Sequence, residues 1–178
     1  MLCLIFQSSA ISAEFAGDTG EPNDPYQIAT AEQLISTGSD SSLLEKSFVL
    51  VADIDLDPNL PSSRIFKDAL ITQDADNDVS SHSGPSFEGI FDGNGHTIAN
   101  LHINGEYGYD AGLFGKLSGL VKDLHLIDVV VSGSPCDVIV GLNLRSTIFR
   151  CRVTGQISGG RKCRRTRRLH LEWQPDGM

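Results

Sequence analysis

The sequence predicts an all-β domain of stacked coils, a β-solenoid, with a short capping helix at its N-terminal end. Three observations predict it. A pattern of apolar residues broken by a polar bend recurs at 97–103, 120–126 and 147–153. Glycine is abundant, at 18 of 178 residues, and stands with Asn, Asp and Ser between short apolar runs, as in turn-rich β proteins. Ahead of the apolar runs, Thr30-Ala31-Glu32-Gln33 forms a capping box that starts a helix.

Length and charge narrow the class. A chain of 178 residues suffices for one domain with a sizeable core. The net charge of −9 is uneven: residues 161–178 carry Arg161, Lys162, Arg164, Arg165, Arg167 and Arg168 against Glu172 and Asp176, so +4, leaving −13 on the remainder. An acidic body repels a phosphate backbone, which argues against nucleic acid as its partner and suits a protein exposed outside the cell. The four cysteines, Cys3, Cys136, Cys151 and Cys163, have no C-x-x-C spacing, which argues against a zinc site. Cys136 and Cys151 either pair or remain small buried thiols, the second being favoured. No apolar run reaches transmembrane length.

Residues 1–13, M-L-C-L-I-F-Q-S-S-A-I-S-A, join a short apolar run to small residues, with Ile11 and Ala13 at the two small-pocket positions of a secretory cleavage site. The basic start of such a signal is missing, so the stretch reads as a signal-peptide remnant; the other reading is a first core strand. Residues 15–28 are rich in Gly, Pro, Asn and Asp and form a turn-rich opening. The helix then spans 31–37, with Leu34 and Ile35 inward and Gly38 stopping it. A second short helix follows at Ser42-Leu43-Leu44-Glu45. A helix at this place covers the first coil's open edge, which otherwise invites strand addition.

Residues 48–56 alternate as one strand, with Phe48, Leu50, Ala52, Ile54 and Leu56 inward and Val49, Val51, Asp53 and Asp55 outward. Asp53, Asp55 and Asp57 read as a solvated face rather than a catalytic trio. Residues 57–86 then form a long loop, of the kind that is often functional. Within it Asp74, Asp76 and Asp78 alternate like the first half of a calcium loop. Val79 stands where the sharp-turn glycine belongs and Pro85 where the bidentate glutamate belongs, so these three are a calcium candidate set against a solvated acidic loop.

The repeat carries the architecture. Thr97–Ile103, Leu120–Leu126 and Thr147–Val153 align with apolar matches at Ile98/Val121/Ile148, Leu101/Leu124/Cys151 and Ile103/Leu126/Val153, at spacings of 23 and 27 residues. The first two positions are three apart, so a flat strand would face them oppositely. A bend at Asn100, Asp123 or Arg150 returns both to the inside and makes a coil corner. Spacing in the twenties is that of a solenoid. An antiparallel sandwich explains the alternation but not the recurring bend. Gly93 and Gly95, and Gly112 and Gly115, precede the corners as turn residues. His102 and His125 fall at the same outward position of successive coils, and with His96 read as surface residues.

G-L-F-G at 112–115 is similar to the glycine-leucine-x-glycine signature of the GLUG repeat. F-D-G-N-G-H-T-I-A-N-L-H-I before it looks like the coil that precedes such repeats, and D-P-Y-Q-I-A-T-A-E-Q-L resembles the start of these modules in large bacterial surface proteins. The resemblance spans roughly 15–159 and implies a right-handed parallel β-helix, pectin-lyase-like, from an exported bacterial protein. It implies a structural or adhesive module, over 14–160, with surface glycans or host proteins as partners, further coils stacked on it and no cofactor. No H-E-x-x-H occurs, so the zinc peptidase activity found beside some GLUG repeats has no support here. The alternatives are a carbohydrate-active β-helix enzyme, a lyase or glycoside hydrolase using Asp53, Asp55, Asp92 or Asp123, and a gene remnant without function.

Two departures stand out. D-V-I-V-G at 137–141 replaces an expected G-G-L-V-G, and after Gly160 the repeat gives way to a basic tail over 161–178. The tail reads as a basic binding run, as a solvated end or as a shifted reading frame. Codons permitted by residues 161–178, read one base later, yield E-N-V-G-G-L-V-G, and Arg164–Arg168 force the first bases of that G-G-L-V-G. A frameshift near Gly160 would leave the last coil with a free edge and make the chain prone to aggregate. The gene sequence tests this: codons that restore G-G-L-V-G in the shifted frame are expected, and any other codons end the idea.

Overall fold

The computed structural model describes residues 15–17, 19–61, 63–73, 83–105, 111–133, 138–159 and 167–173. The leader-like residues 1–13 and Cys136 lie outside them. The described chain is mostly β-strand in parallel sheets, with one α-helix.

Strand β1 (Tyr26–Ile28) leads into α1 (Ala31–Thr37). Thr30 is extended, its hydroxyl accepts the N–H of Gln33, and the Gln33 side chain accepts the N–H of Thr30 in return. Two of the helix's four free donors are thereby met at once. Leu34 and Thr37 are buried, and Ile35 packs half-buried against the core. Gly38 ends the helix for a reason other than a left-handed turn: its φ is −84°. A Cβ there would stand 2.1 Å from the carbonyl oxygen of Leu70, so the helix end abuts the backbone at 70–71. A 3₁₀ turn at Ser41–Leu43 follows, started by the Asp40 carboxylate on the Ser42 N–H.

The single strand expected over 48–56 is two strands in two sheets, β2 (Phe48–Leu50) and β3 (Ile54–Asp55). The chain turns between them, yet Phe48, Leu50, Ile54 and Leu56 are all buried. Alternation survives because the turn rotates the backbone without losing the inward row. The remaining strands are β4 (Ile90–Asp92), β5 (Thr97–Ala99), β6 (His102–Asn104), β7 (Phe114–Leu117), β8 (Leu120–Lys122), β9 (His125–Gly133), β10 (Val140–Asn143), β11 (Thr147–Phe149), β12 (Cys151–Gly159) and β13 (Arg167–Trp173).

Three parallel sheets result. The first runs β1-β2-β4-β8-β11. The second runs β3-β5-β9-β12, with β6 also beside β9. The third joins β7 to β10 and is extended by bridges from Ile71 to Phe114 and from Phe87 to Leu117. The long segment 57–86 is therefore not simply a loop: Phe66, Leu70, Ile71 and Thr72 are buried, and Phe66 bridges to Ile103. At the far end β13 lies antiparallel on β12. The outer edge of that sheet, free on the sequence reading, is paired.

The register corrects the alignment of the repeat. Phe48 pairs with Phe91, Phe91 with Val121 and Val121 with Ile148. Ile54, Ile98, Leu126 and Val153 make a second row, and Ile103, Val131 and Ile157 lie in a third. Equivalent positions thus stand 30 residues apart from Phe91 to Val121 and 27 from Val121 to Ile148. Matching Val121 with Ile148 and Leu126 with Val153 holds; matching Ile98 with Val121 does not, because Ile98 lies beside Leu126. Bends of one make recur at two places between the sheets. Asp123 (φ 52°) and Arg150 (φ 50°) form the first, and Asn100 (φ 57°) and Asp128 (φ 52°) the second. One template fits both, so the second bend of one coil was superposed on the first bend of the next. Asn and Asp tolerate this left-handed conformation better than other side chains do. In the earlier coil the first bend is the turn through Gly93 and Gly95.

The two glycines act differently. Gly95 adopts φ +78°, whereas a Cβ on Gly93 would meet the Asp123 oxygen and the Leu124 Cα at 2.4 Å. Gly115 lies within β7 rather than in a turn. Between the sheets, Phe15, Tyr26, Phe48, Phe87, Phe114 and Phe91 form a continuous aromatic column with centroids 5.1–6.2 Å apart. Each fully buried Phe contributes about 1.5–3 kcal/mol by burial.

Leu124→Ala, at a fully buried corner position, is expected to cost about 2–5 kcal/mol. Val51→Ala, at a residue 41% exposed, should stay within about 0.5 kcal/mol. Gly93→Ala should cost at least about 1 kcal/mol by overpacking. Urea melts of the three variants check the order.

Candidate functional site

The bends gather polar side chains along two edges where the sheets meet. On the first, Asp53 Oδ1 accepts the Thr97 N–H at 2.9 Å and meets His96 Nδ1 at 3.1 Å. Asp92 Oδ1 accepts the Asn94 N–H at 2.8 Å, while its Oδ2 accepts from Lys122 of the next coil. Asp123 accepts from Nε and Nη2 of Arg150, one coil further on. Acid thus meets base or amide from coil to coil. The Arg150 guanidinium also lies 4.9 Å from the Phe149 ring centroid, which helps hold a long side chain at a left-handed bend.

These contacts set the charge states. The Thr97 N–H, and after it His96, holds the Asp53 carboxyl below the usual carboxylate range. Arg150 does the same for Asp123, and the Asn59 N–H for Asp57. A hydrogen bond to the charged form favours that form. Such carboxylates suit accepting hydrogen bonds, whereas a general acid needs its pKa raised.

On the second edge, Asn100 Nδ2 donates to Asp55 Oδ1 at 2.8 Å, and the same oxygen accepts the Asp57 N–H at 2.9 Å. Asp57 in turn accepts from Asn59. Thr154 Oγ1 accepts the Asp128 N–H at 3.3 Å. Beside this edge runs an open groove of about 550 Å³ lined by Asn100, His102, Asp128, Val130, Thr154 and Gln156, among others. Two rows bound it. The bend row of Asn100 and Asp128 meets Thr154, and Gly155, which pairs with Val129, lies beside it. The strand row runs His102, Val130, Gln156.

The sequence candidates fall into this frame unevenly. Asp53, Asp92 and Asp123 lie on the first edge and Asp55 on the second. None of the four lines the groove. Paired-carboxyl chemistry needs two such groups facing each other across a substrate, and the groove holds Asp128 alone among acids. His102 and His125 do not share a row: His102 pairs with Val130, and His125 with Thr97 and Arg152. The slipped first coil had placed them together. Asp128, Thr154 and Gln156 were missed; the signal for Asp128 was its position after two apolar residues, as Asn100 stands after Ile98-Ala99.

The calcium candidates Asp74, Asp76 and Asp78 lie outside the described residues. Among the described residues, no group of three or more His, Cys, Asp or Glu could hold a metal. Cys151 is a buried free thiol, and burial pushes its pKa up. A thiol held in its neutral form is a small apolar filler of the inner row. Among the described residues, no helix is long and apolar enough to cross a membrane.

No family model matches the chain, and no solved structure matches it. The chain is similar to halomucin of Haloquadratum walsbyi, 29% identical over 156 residues that make up 86% of this chain and 2% of halomucin. It is also similar to a putative Gly-rich membrane protein of Evansella cellulosilytica, 33% identical over 152 residues that make up 75% of this chain and 16% of that protein. The chain therefore spans a small part of the length of the curated relatives it matches.

The carboxylates held low predict how stability follows pH. Folded Asp123 binds a proton more weakly than the unfolded chain does, so its contribution is present above the ordinary carboxylate pKa of about 4 and lost as pH falls through the lower folded value. Asp123→Asn should flatten that acid limb of the melting curve, and a limb unchanged by the substitution would contradict the pairing with Arg150.

Proposed function

We propose that the chain is a segment of right-handed parallel β-helix, of the GLUG-repeat kind, from a longer exported surface protein. Its work is structural or adhesive rather than catalytic, it needs no cofactor, and its partners are surface glycans or host proteins outside the cell. The observation that carries this reading is the register: the inward positions Phe48, Phe91, Val121 and Ile148 lie side by side at successive spacings of 43, 30 and 27 residues. A right-handed path is the rule for parallel strands joined by crossovers. The likeness to short parts of two much longer proteins, one named halomucin and one a membrane protein, supports a segment of a large surface protein. The hydrogen bonds that occupy Asp53, Asp55, Asp92 and Asp123 support structural roles for the four acids of the enzyme alternative.

Coil duplication tests the architecture. Residues 121–147, inserted a second time after Thr147, should add one coil, keep the fold and lengthen the particle by about 4.8 Å, one strand spacing. Small-angle scattering reads the length, and a duplicated chain that unfolds or grows sideways would refute the coil. The functional half is tested by incubating the purified chain with polyuronates and neutral polysaccharides. No new chain ends are expected; turnover abolished by Asp92→Asn would establish the enzyme instead.

A further inference from the structure

Strand β13 is at odds with the rest of the fold. Among the described residues the other named strands pair in parallel, and β13 pairs antiparallel with β12 over seven positions, from Cys151–Trp173 to Ile157–Arg167. It occupies the edge where another coil would add its parallel strand. From Arg168 to Trp173 its sequence, R-L-H-L-E-W, alternates polar and apolar residues as a one-sided strand does, while Arg167 falls opposite the buried Ile157. The register sets Leu171 opposite Val153 and Trp173 opposite Cys151, two buried positions. It sets His170 opposite Thr154 and Glu172 opposite Arg152, on the outward row. Matching of apolar to inner and polar to outer positions is what fixes strand register.

We infer that β13 is a seal over a strand-accepting edge of β12, and that the partner this edge takes when the seal is absent is β12 of a second copy of this chain. An unpaired edge presents a row of N–H and C=O groups that another strand satisfies. A two-fold axis places one patch against itself, and a strand set against its own copy in that way runs antiparallel. That is the direction β12 already accepts from β13. While β13 is seated, both this symmetric pairing and further coil addition at the sheet are blocked. The seal belongs to the sequence R-R-L-H-L-E-W and its pairing with β12.

The test uses the full chain. In one variant Leu169→Pro and Leu171→Pro remove two backbone donors, which a ladder does not tolerate. In a second, residues 167–173 are replaced by an equally long Gly/Ser stretch, which adds no proline strain. The unmodified protein should sediment as a monomer with the amides of Val153–Ile157 slow to exchange. Both variants should sediment as dimers at micromolar concentration, and a synthetic peptide of residues 165–175 should return the Gly/Ser variant to monomer. Fast exchange at Val153–Ile157 in the unmodified protein would overturn the seal. Variants that stay monomeric, form open-ended aggregates or resist the peptide would overturn the symmetric edge.

Discussion

The structure depends on a backbone that turns sharply between its parallel sheets while keeping its inward row. Left-handed residues do this. Asn100, Asp123, Asp128 and Arg150 all stand at φ between 50° and 57°. Each brings the apolar residues on both sides of it to the same interior, so Ile98 and Leu101, three positions apart, are both fully buried. A non-glycine residue in this region carries strain. Short polar side chains reduce it at Asn100, Asp123 and Asp128, and side-chain hydrogen bonds from Asn100 to Asp55 and from Arg150 to Asp123 offset more. Bend and inter-coil contact are thus one feature: the residue that turns the chain also ties it to its neighbour.

The polar edges follow from that coupling. A parallel stack repeats every outward position a strand spacing away, so like charges in one row would repel. Here Asp92 lies beside Lys122 and Asp123 beside Arg150. Exposed pairs of this kind add little to stability singly. Their physical value lies in register, since a slip between coils would set acid against acid. Beside the second bend row runs the groove lined by His102, Asp128 and Gln156.

Parallel sheets leave their edge strands as the exposed problem. At the first end, α1 closes against the backbone at 70–71 through Gly38. At the other, β13 runs against the direction of the rest and pairs the edge of β12. The aromatic column from Phe15 to Phe91 joins the opening segment to the third sheet, so the N-terminal part shares the common interior.

Local chemistry made much of this legible in the residues themselves. Thr30 and Gln33 set the helix start because a capping box lies within four residues. The bends at Asn100, Asp123 and Arg150 were readable because an apolar pair three apart cannot face one way along a flat strand. The inward row of 48–56 was readable even though that stretch proves to be two strands, because alternation is preserved through a corner. What only the tertiary structure decided is which corner lies on which. Bends of one make stand at Asp123 and Asp128, and pairing between strands some thirty residues apart, not the pattern within either, chose Leu126 rather than Val121 as the neighbour of Ile98. The same holds for Phe66 and Ile71 within an apparent loop, for the groove at Gly155 and for β13. Each is defined by a partner distant in the chain, and a contact of that kind leaves no periodicity in its own segment.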